Sequence, residues 1–419
     1  MRTNVIIYYG DFMELQRSAI SNGMPKTTWQ WLKLLGPGII VMLADTDAGS
    51  VVTAAQSGAQ FGASLLIPDI LLIGVLYLVQ EMTVRLGLVT GQGHGELIEK
   101  YFGRKWASLS VLTLFLSAVG ALVTEYAGIA TVGQLLGASK FWFVPLVALA
   151  LISAAFLGKY RRAERFGIIL GLLELAFIPA AFFGLFKGVG NVKSIWILPF
   201  GHEDFAWMVA ANVGAVVMPW MIFFQQQAVS DSGLTPEQLK IARRDTLLGA
   251  VLTQTVMIAV MLTAAEAFPH HHTLTSIASL AQTLVPLLGH SAIIIFGAGL
   301  FGASTVAALV VSLAGAWGMA EVFGWKHSLN SDFKETPQFH IIYAVSHVIA
   351  VIFVLVAIHF VSLSIDVEIM NAMLLPIVLG FLIALEYRAL PHHWKMSHRR
   401  RVLVIITSIV TILLGLLTL

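Results

Sequence analysis

A run that is otherwise apolar from Leu34 to about Gly62 contains Leu43-Ala44-Asp45-Thr46-Asp47-Ala48-Gly49-Ser50. An ionised carboxylate near the centre of a bilayer costs about 3 kcal/mol even on the lenient insertion scale, so it faces a cavity, a partner or an ion. A chain that unwinds there also frees backbone carbonyls, and carbonyls lining a cavity are hard oxygen ligands. Carboxylate, carbonyl and hydroxyl oxygens together make a cation site. A second interruption, Gly214-Ala215-Val216-Val217-Met218-Pro219-Trp220-Met221, breaks another apolar segment. Pro219 removes a backbone donor there and clashes with the preceding turn. At this break Met218 offers a thioether and Ala215 a carbonyl. Oxygen ligands suit magnesium, calcium or manganese, whereas a thioether favours softer transition metals.

The elements that must position these residues are transmembrane helices. Hydrophobic residues make up 58% of the 419 and charged residues 11%, against about a quarter charged in a soluble domain. Apolar runs of about 20 residues, enough to span, fall near 34–61, 64–88, 106–136, 141–157, 166–186, 205–230, 245–268, 290–321, 338–360, 367–387 and 401–419. The two interruptions lie in the first and sixth of these segments. Broken helices at matching places in two halves are the mark of an inverted-repeat transporter with its site at the breaks. The expected organisation is a cytoplasmic segment over 1–33 and one transmembrane domain over 34–419. Within it, repeat one covers about 34–187, repeat two about 204–389, and an extra helix about 401–419. No linker divides the chain, and the first 30 residues show no removable signal peptide.

Charge placement supplies the orientation. With the N-terminus inside, 22 of the 25 Lys and Arg residues fall on the cytoplasmic side, and only Lys140, Lys187 and Lys193 fall outside. This is the positive-inside pattern of a multi-pass protein of the plasma (inner) membrane, with its C-terminus outside. The basic run 392–401 then reads as a topogenic loop rather than a nucleic-acid site, and no obligate protein partner is evident. Cysteine is absent, which excludes disulfides, thiolate ligands and a cysteine nucleophile.

Gly36-Pro37-Gly38, the break at 47–50, Gly214 to Pro219 and Ala242-Arg243-Arg244-Asp245 together resemble the NRAMP divalent-metal transporters over nearly the whole chain. The resemblance implies an all-α, LeuT-like fold of five plus five helices and an eleventh, with helices 1 and 6 broken. It makes Asp47 the ligating carboxylate, Met218 the thioether ligand and Ala215 the carbonyl donor, with Ser50 where the family has asparagine. The departures from the family motifs, Asp-Pro-Gly-Asn and Met-Pro-His, are informative. The motif histidine is Trp220 here, the second sixth-helix histidine falls on Gln225, and an aspartate common in the third helix falls on Leu122, beside the family glutamate at Glu125. These departures resemble the NRAMP-related magnesium transporters, which implies a partly hydrated ion and no proton coupling. Magnesium therefore stands before manganese as substrate, by alternating access and with no cofactor. The alternative, carried by the retained Met218, is proton-coupled manganese or iron import.

Other polar residues extend the candidate site. Asp45 and Thr46 are candidates for the pathway or for contact with a hydrated ion, as are Trp220, Gln225 and Glu125. Glu368 and Asn371 share one face of the tenth segment. Glu81 and Arg85, spaced i, i+4, read as an ion pair. His270, His271 and His272 read as solvated loop residues, and His340, His347 and His359 as helix-interface residues. Glu174 is unexplained. Two other classes fit less well. A sodium-coupled symporter of organic solutes would avoid Asp47 where a substrate carboxylate binds. An intramembrane hydrolase needs two aspartates facing each other or a zinc motif, and neither pattern occurs.

Overall fold

The structure, a computed structural model, describes residues 37–157, 160–186, 199, 203–231, 234–268, 272–326, 333–357 and 359–416. His270 and His271 lie outside the described residues, as do residues 1–36. Helices occupy all eleven segments expected from the sequence. The first is split into α1 (Pro37–Asp45) and α2 (Ala48–Phe61), and α3 (Leu66–Thr90) follows. A short α4 (His94–Phe102) leads into α5 (Arg104–Leu135) and α6 (Lys140–Phe156). The fifth segment is α7 (Tyr160–Gly171), a 3-10 turn (Leu172–Ala176) and α8 (Phe177–Phe186). The sixth is again split, into α9 (Glu203–Val216) and α10 (Pro219–Asp231). Next come α11 (Leu239–Ala267), α12 (Ala281–Leu288), α13 (Ala292–Phe323), α14 (Pro337–Val356), α15 (Phe360–Ala389) and α16 (His398–Leu416).

Among the described residues, eight helical spans are long and apolar enough to cross a membrane. The split sixth segment is one of them, over Asp204–Asp231, and is buried along almost all its length. A buried helix gains nothing from an amphipathic stripe, and the polar residues of this one, Asn212, Gln225, Gln226 and Gln227, are buried as well. α5 packs along α13, α2 and α1 along α11, and α9 along α15. The two split segments thus lie at the centre of the bundle, with α5, α13, α11 and α15 around them.

Polar contacts fix this arrangement toward one end. Arg85 on α3 bonds Glu81 (3.2 Å) and Glu386 on α15 (3.2 Å). Its guanidinium also donates to the Trp394 carbonyl (2.8 Å), and Arg243 Nε on α11 reaches Glu81 Oε1 (2.7 Å). The expected Glu81–Arg85 pair is therefore part of a larger buried network joining three long helices. The Gly38 amide donates to Asp245 Oδ2 (2.9 Å), which holds α1 against α11. His340 and His347 are buried on α14, and His347 Nδ1 lies 2.6 Å from the Tyr126 hydroxyl of α5. His359 differs from the expectation. It is exposed and flanks the start of α15, because that helix begins only at Phe360.

Candidate metal site

Each break has a local cause. Asp47 is the N-cap of α2 in extended conformation, and its Oδ1 accepts from the Ser50 amide (2.7 Å). That bond satisfies one of the amides a helix start leaves open and contributes about 1 kcal/mol. Glu125 on α5 takes another, accepting from the Ala48 amide through Oε2 (3.3 Å). Two carboxylates from different helices therefore cap one N-terminus, whose positive end of the helix dipole favours them. At the other break, Pro219 is the first residue of α10, where its missing N–H is no loss and its fixed φ suits the helix. Val217 and Met218 form the link between α9 and α10.

The two breaks touch. Ser50 Oγ donates to the Ala215 carbonyl (3.1 Å), crossing from α2 to α9. Asp47 and Met218 are fully buried, and Ser50 and Ala215 nearly so, at 3% and 4% exposure. The Trp220 indole N–H donates to Met218 Sδ (2.9 Å). Sequence spacing hides this contact, since residues two apart on a helix face away from each other, but Met218 precedes α10 and its side chain turns back.

Several oxygens in this region have no partner. Asp45 is the last residue of α1, and both its carboxylate oxygens are buried without a hydrogen bond, as is Asp47 Oδ2. Asp47 and Glu368 are the charged neighbours of Asp45. Glu368 on α15 is held by a relay, with Ser117 donating to Asn371 Oδ1 (2.7 Å) and Asn371 donating to Glu368 Oε2 (3.0 Å). Its Oε1 is left free and lies against Gly49, where a Cβ would strike it. Gly214 makes the same allowance on the other break, since a Cβ there would strike the Glu368 carbonyl. The tenth segment thus approaches both breaks at Glu368 because both glycines lack side chains.

The remaining candidates fall as follows. Thr46 Oγ1 turns back to the Leu43 carbonyl (2.8 Å). Gln225 is buried and donates to Thr246 of α11 (3.0 Å), which joins two helices, and its Oε1 is unpartnered. Glu174 sits in the 3-10 turn, buried, with Asp47 among its charged neighbours and Oε2 unpartnered. His272 stacks on Phe268 (5.1 Å between ring centroids) and bonds Ala59 and Gln56 through its backbone. Among the described residues no three His, Asp or Glu side chains stand close enough to hold a metal between them. Any ion here must use mixed donors: one or two carboxylates, a hydroxyl, carbonyls and water.

Residues 38–419 match the family described as natural resistance-associated macrophage protein-like. The chain belongs to this family. It is 30% identical over 299 residues to a divalent metal cation transporter MntH of Klebsiella pneumoniae, covering 68% of this chain and 71% of the relative. It is 27% identical over 320 residues to the MntH of Verminephrobacter eiseniae, covering 71% and 70%. Among solved structures, a mutant of the Eremococcus coleocola manganese transporter superposes with a TM-score of 0.75 at 17% identity, covering 94% of this chain and 88% of that one. MhsT in complex with L-phenylalanine superposes with a TM-score of 0.63 at 14% identity, covering 91% of this chain and 98% of that one. The structural likenesses show a LeuT-like fold, and the family membership makes the chain a multi-pass membrane transporter.

Proposed function

We propose that this NRAMP-family chain carries divalent metal cations across the membrane by alternating access around the two breaks. Asp47, Ser50, Ala215 and Met218 form the proposed ligand set, and Asp45, Glu368 and Glu125 supply the surrounding negative charge. The observation that carries this reading is the set of buried oxygens without partners, on Asp45 and Asp47 at the first break and on Glu368, whose Oε1 lies against Gly49. Unpaired carboxylate oxygens in a dry site are costly unless a cation or proton joins them, and a divalent cation answers several at once. Burial of the whole set corresponds to an occluded stage of the cycle, closed toward both faces.

Manganese comes first among substrates, in line with the names of the relatives. A second reading, magnesium carried with part of its water shell, is supported by one observation: the Trp220 N–H engages Met218 Sδ. A thioether already accepting a hydrogen bond is a poorer soft ligand, which leaves an oxygen-rich site suited to a reluctantly dehydrated ion. Proton coupling turns on Glu125, because neither Trp220 nor Gln225 gains or loses a proton near neutral pH.

The test is flux into liposomes holding the purified chain, across magnesium, manganese, calcium and iron, with an internal pH dye. Uptake of at least one of these ions above protein-free vesicles is expected. Uptake of none, with the chain folded, would overturn the reading. Lumen acidification that scales with metal flux would assign proton coupling, and its absence would assign uncoupled transport.

A further inference from the structure

A separate group of acceptors lies at the far end of α10. There Gln226, Gln227 and Asp231 on α10 meet His94 on α4 and Glu321 near the end of α13. The Gly95 amide donates to Glu321 Oε2 (2.8 Å), so one carboxylate oxygen caps the start of α4. The other, Oε1, lies against Gly93, and so does Gln227 Oε1: a Cβ on Gly93 would strike both. Gln227 uses its amide nitrogen on Asp231 Oδ2 (3.1 Å), and its Oε1 is buried without a donor. An amide oxygen without a donor and a carboxylate oxygen therefore face one small space.

The Gly95 and Glu96 amides both bond the Glu321 carboxylate, which leaves the Gln227 oxygen unexplained. Turning the Gln227 amide over does not help, since it would set the same oxygen against Asp231 instead. The charged neighbours of Glu321 are Glu96 and Asp231, both acidic. Glu96 is half-buried and Asp231 exposed, so the approach from the surface carries negative charge. Lys100 bonds Gln92 Oε1 (2.9 Å). His94 Nδ1 bonds Gln226 Oε1 (2.9 Å), while its Nε2 is buried without a partner. A donorless amide oxygen beside a carboxylate in an acidic setting suits a cation, and oxygen donors near water select a hard one that keeps part of its hydration.

The geometry points to a second divalent-cation site, built from Glu321 Oε1 and Gln227 Oε1, with Asp231 and Glu96 at its rim. Gln227 is nine residues along α10 from Met218, about 13 Å at the helical rise. It lies on the side that the basic residues assign to the cytoplasm. An ion released from the breaks along α10 meets this site before open water, which makes it an exit station for the transported metal. The choice of a divalent ion rests on the transport reading above; the site's existence does not.

Removing the transport site isolates the second one. Mn2+ binding to the purified full-length chain is counted from the loss of the free-ion paramagnetic resonance signal. Asp47→Ala is expected to retain one Mn2+, and Asp47→Ala with Glu321→Gln to weaken it about tenfold or more. Glu321→Gln keeps an oxygen to cap α4, and an unchanged melting temperature confirms that fold. In the opposite direction, Asp47→Ala with Gln227→Glu adds a charge and is expected to tighten binding. If Asp47→Ala binds no Mn2+ up to about 1 mM, the weak end of known oxygen sites, the second site is overturned and the transport reading stands. Residual Mn2+ indifferent to both Glu321→Gln and Gln227→Glu overturns it equally. Binding in the parent chain unchanged by Asp47→Ala counts against the transport site instead.

Discussion

Gly214→Ala tests whether the approach of α15 to the breaks matters. A Cβ at 214 would strike the Glu368 carbonyl oxygen and stand 2.8 Å from its carbon and 2.9 Å from the Ala372 amide nitrogen. All three atoms are backbone, so no side chain can swing aside and the helices α9 and α15 must part. Overpacking of this kind costs about 1–3 kcal/mol, partly offset by the better helix propensity of alanine, about 1 kcal/mol. The offset applies in every conformation, whereas the clash exists only where α9 and α15 are closed. The closed state should therefore lose about 2 kcal/mol relative to an open one, roughly a thirtyfold shift in population. The chain has no cysteine, so one introduced thiol reports cleanly. Ser364 is fully buried on α15, one turn from Glu368, and Ser364→Cys is nearly isosteric. Labelling of that thiol by a membrane-impermeant maleimide should speed up by about the same factor when Gly214→Ala is added, and metal uptake should fall. Labelling within about twofold of the parent, with unchanged uptake, would refute the proposed closure.

Further outcomes follow from the same contacts. Trp220→Phe frees Met218 Sδ from a bond worth about 1 kcal/mol, so manganese should gain up to about fivefold over magnesium in competition flux; an unchanged ratio would show that the sulfur does not meet the ion. Met218→Ala should leave magnesium transport largely intact and at most weaken manganese, and a magnesium loss as deep as that of Asp47→Ala would make Met218 an inner ligand. Arg85→Met removes the ion pair of Glu386, which keeps the Met396 amide (2.6 Å), and half of the Glu81 pairing in a dry setting, a loss of about 3 kcal/mol that should lower the melting temperature by several degrees without changing ion preference. Glu125→Gln keeps an acceptor for the Ala48 amide, so the fold should persist; if Glu125 carries protons, metal-linked lumen acidification should vanish while metal flux continues.

The two breaks were legible because membranes penalise polar groups. Asp47, Ser50 and Pro219 stand out in apolar surroundings, and each lies at a real break. Spacing rules found the Glu81–Arg85 pair, which lies within one helix. They missed Arg243 and Glu386, brought in from α11 and α15 by folding. The same limit hid Asp245, whose contact with Gly38 spans 207 positions, and the glycine clefts that receive Glu368. Gln225 stood out as a pathway candidate, but its bond to Thr246 of α11 could not be read from the sequence. A lone helix cannot reveal which neighbour will meet its polar side chain. The bond between Trp220 and Met218 was hidden differently, since helical spacing separates them and only the break at 217–218 brings them together.

The central claim is that Asp47 and the oxygens around it hold the transported ion. Mn2+ and Mg2+ uptake by liposomes should be measured for the parent chain and for Asp47→Ala under one gradient, with equal incorporation and matched melting curves. Uptake of both ions should fall to the level of protein-free vesicles in Asp47→Ala. Substantial divalent uptake by a folded Asp47→Ala chain would contradict the assignment of the site to the two breaks.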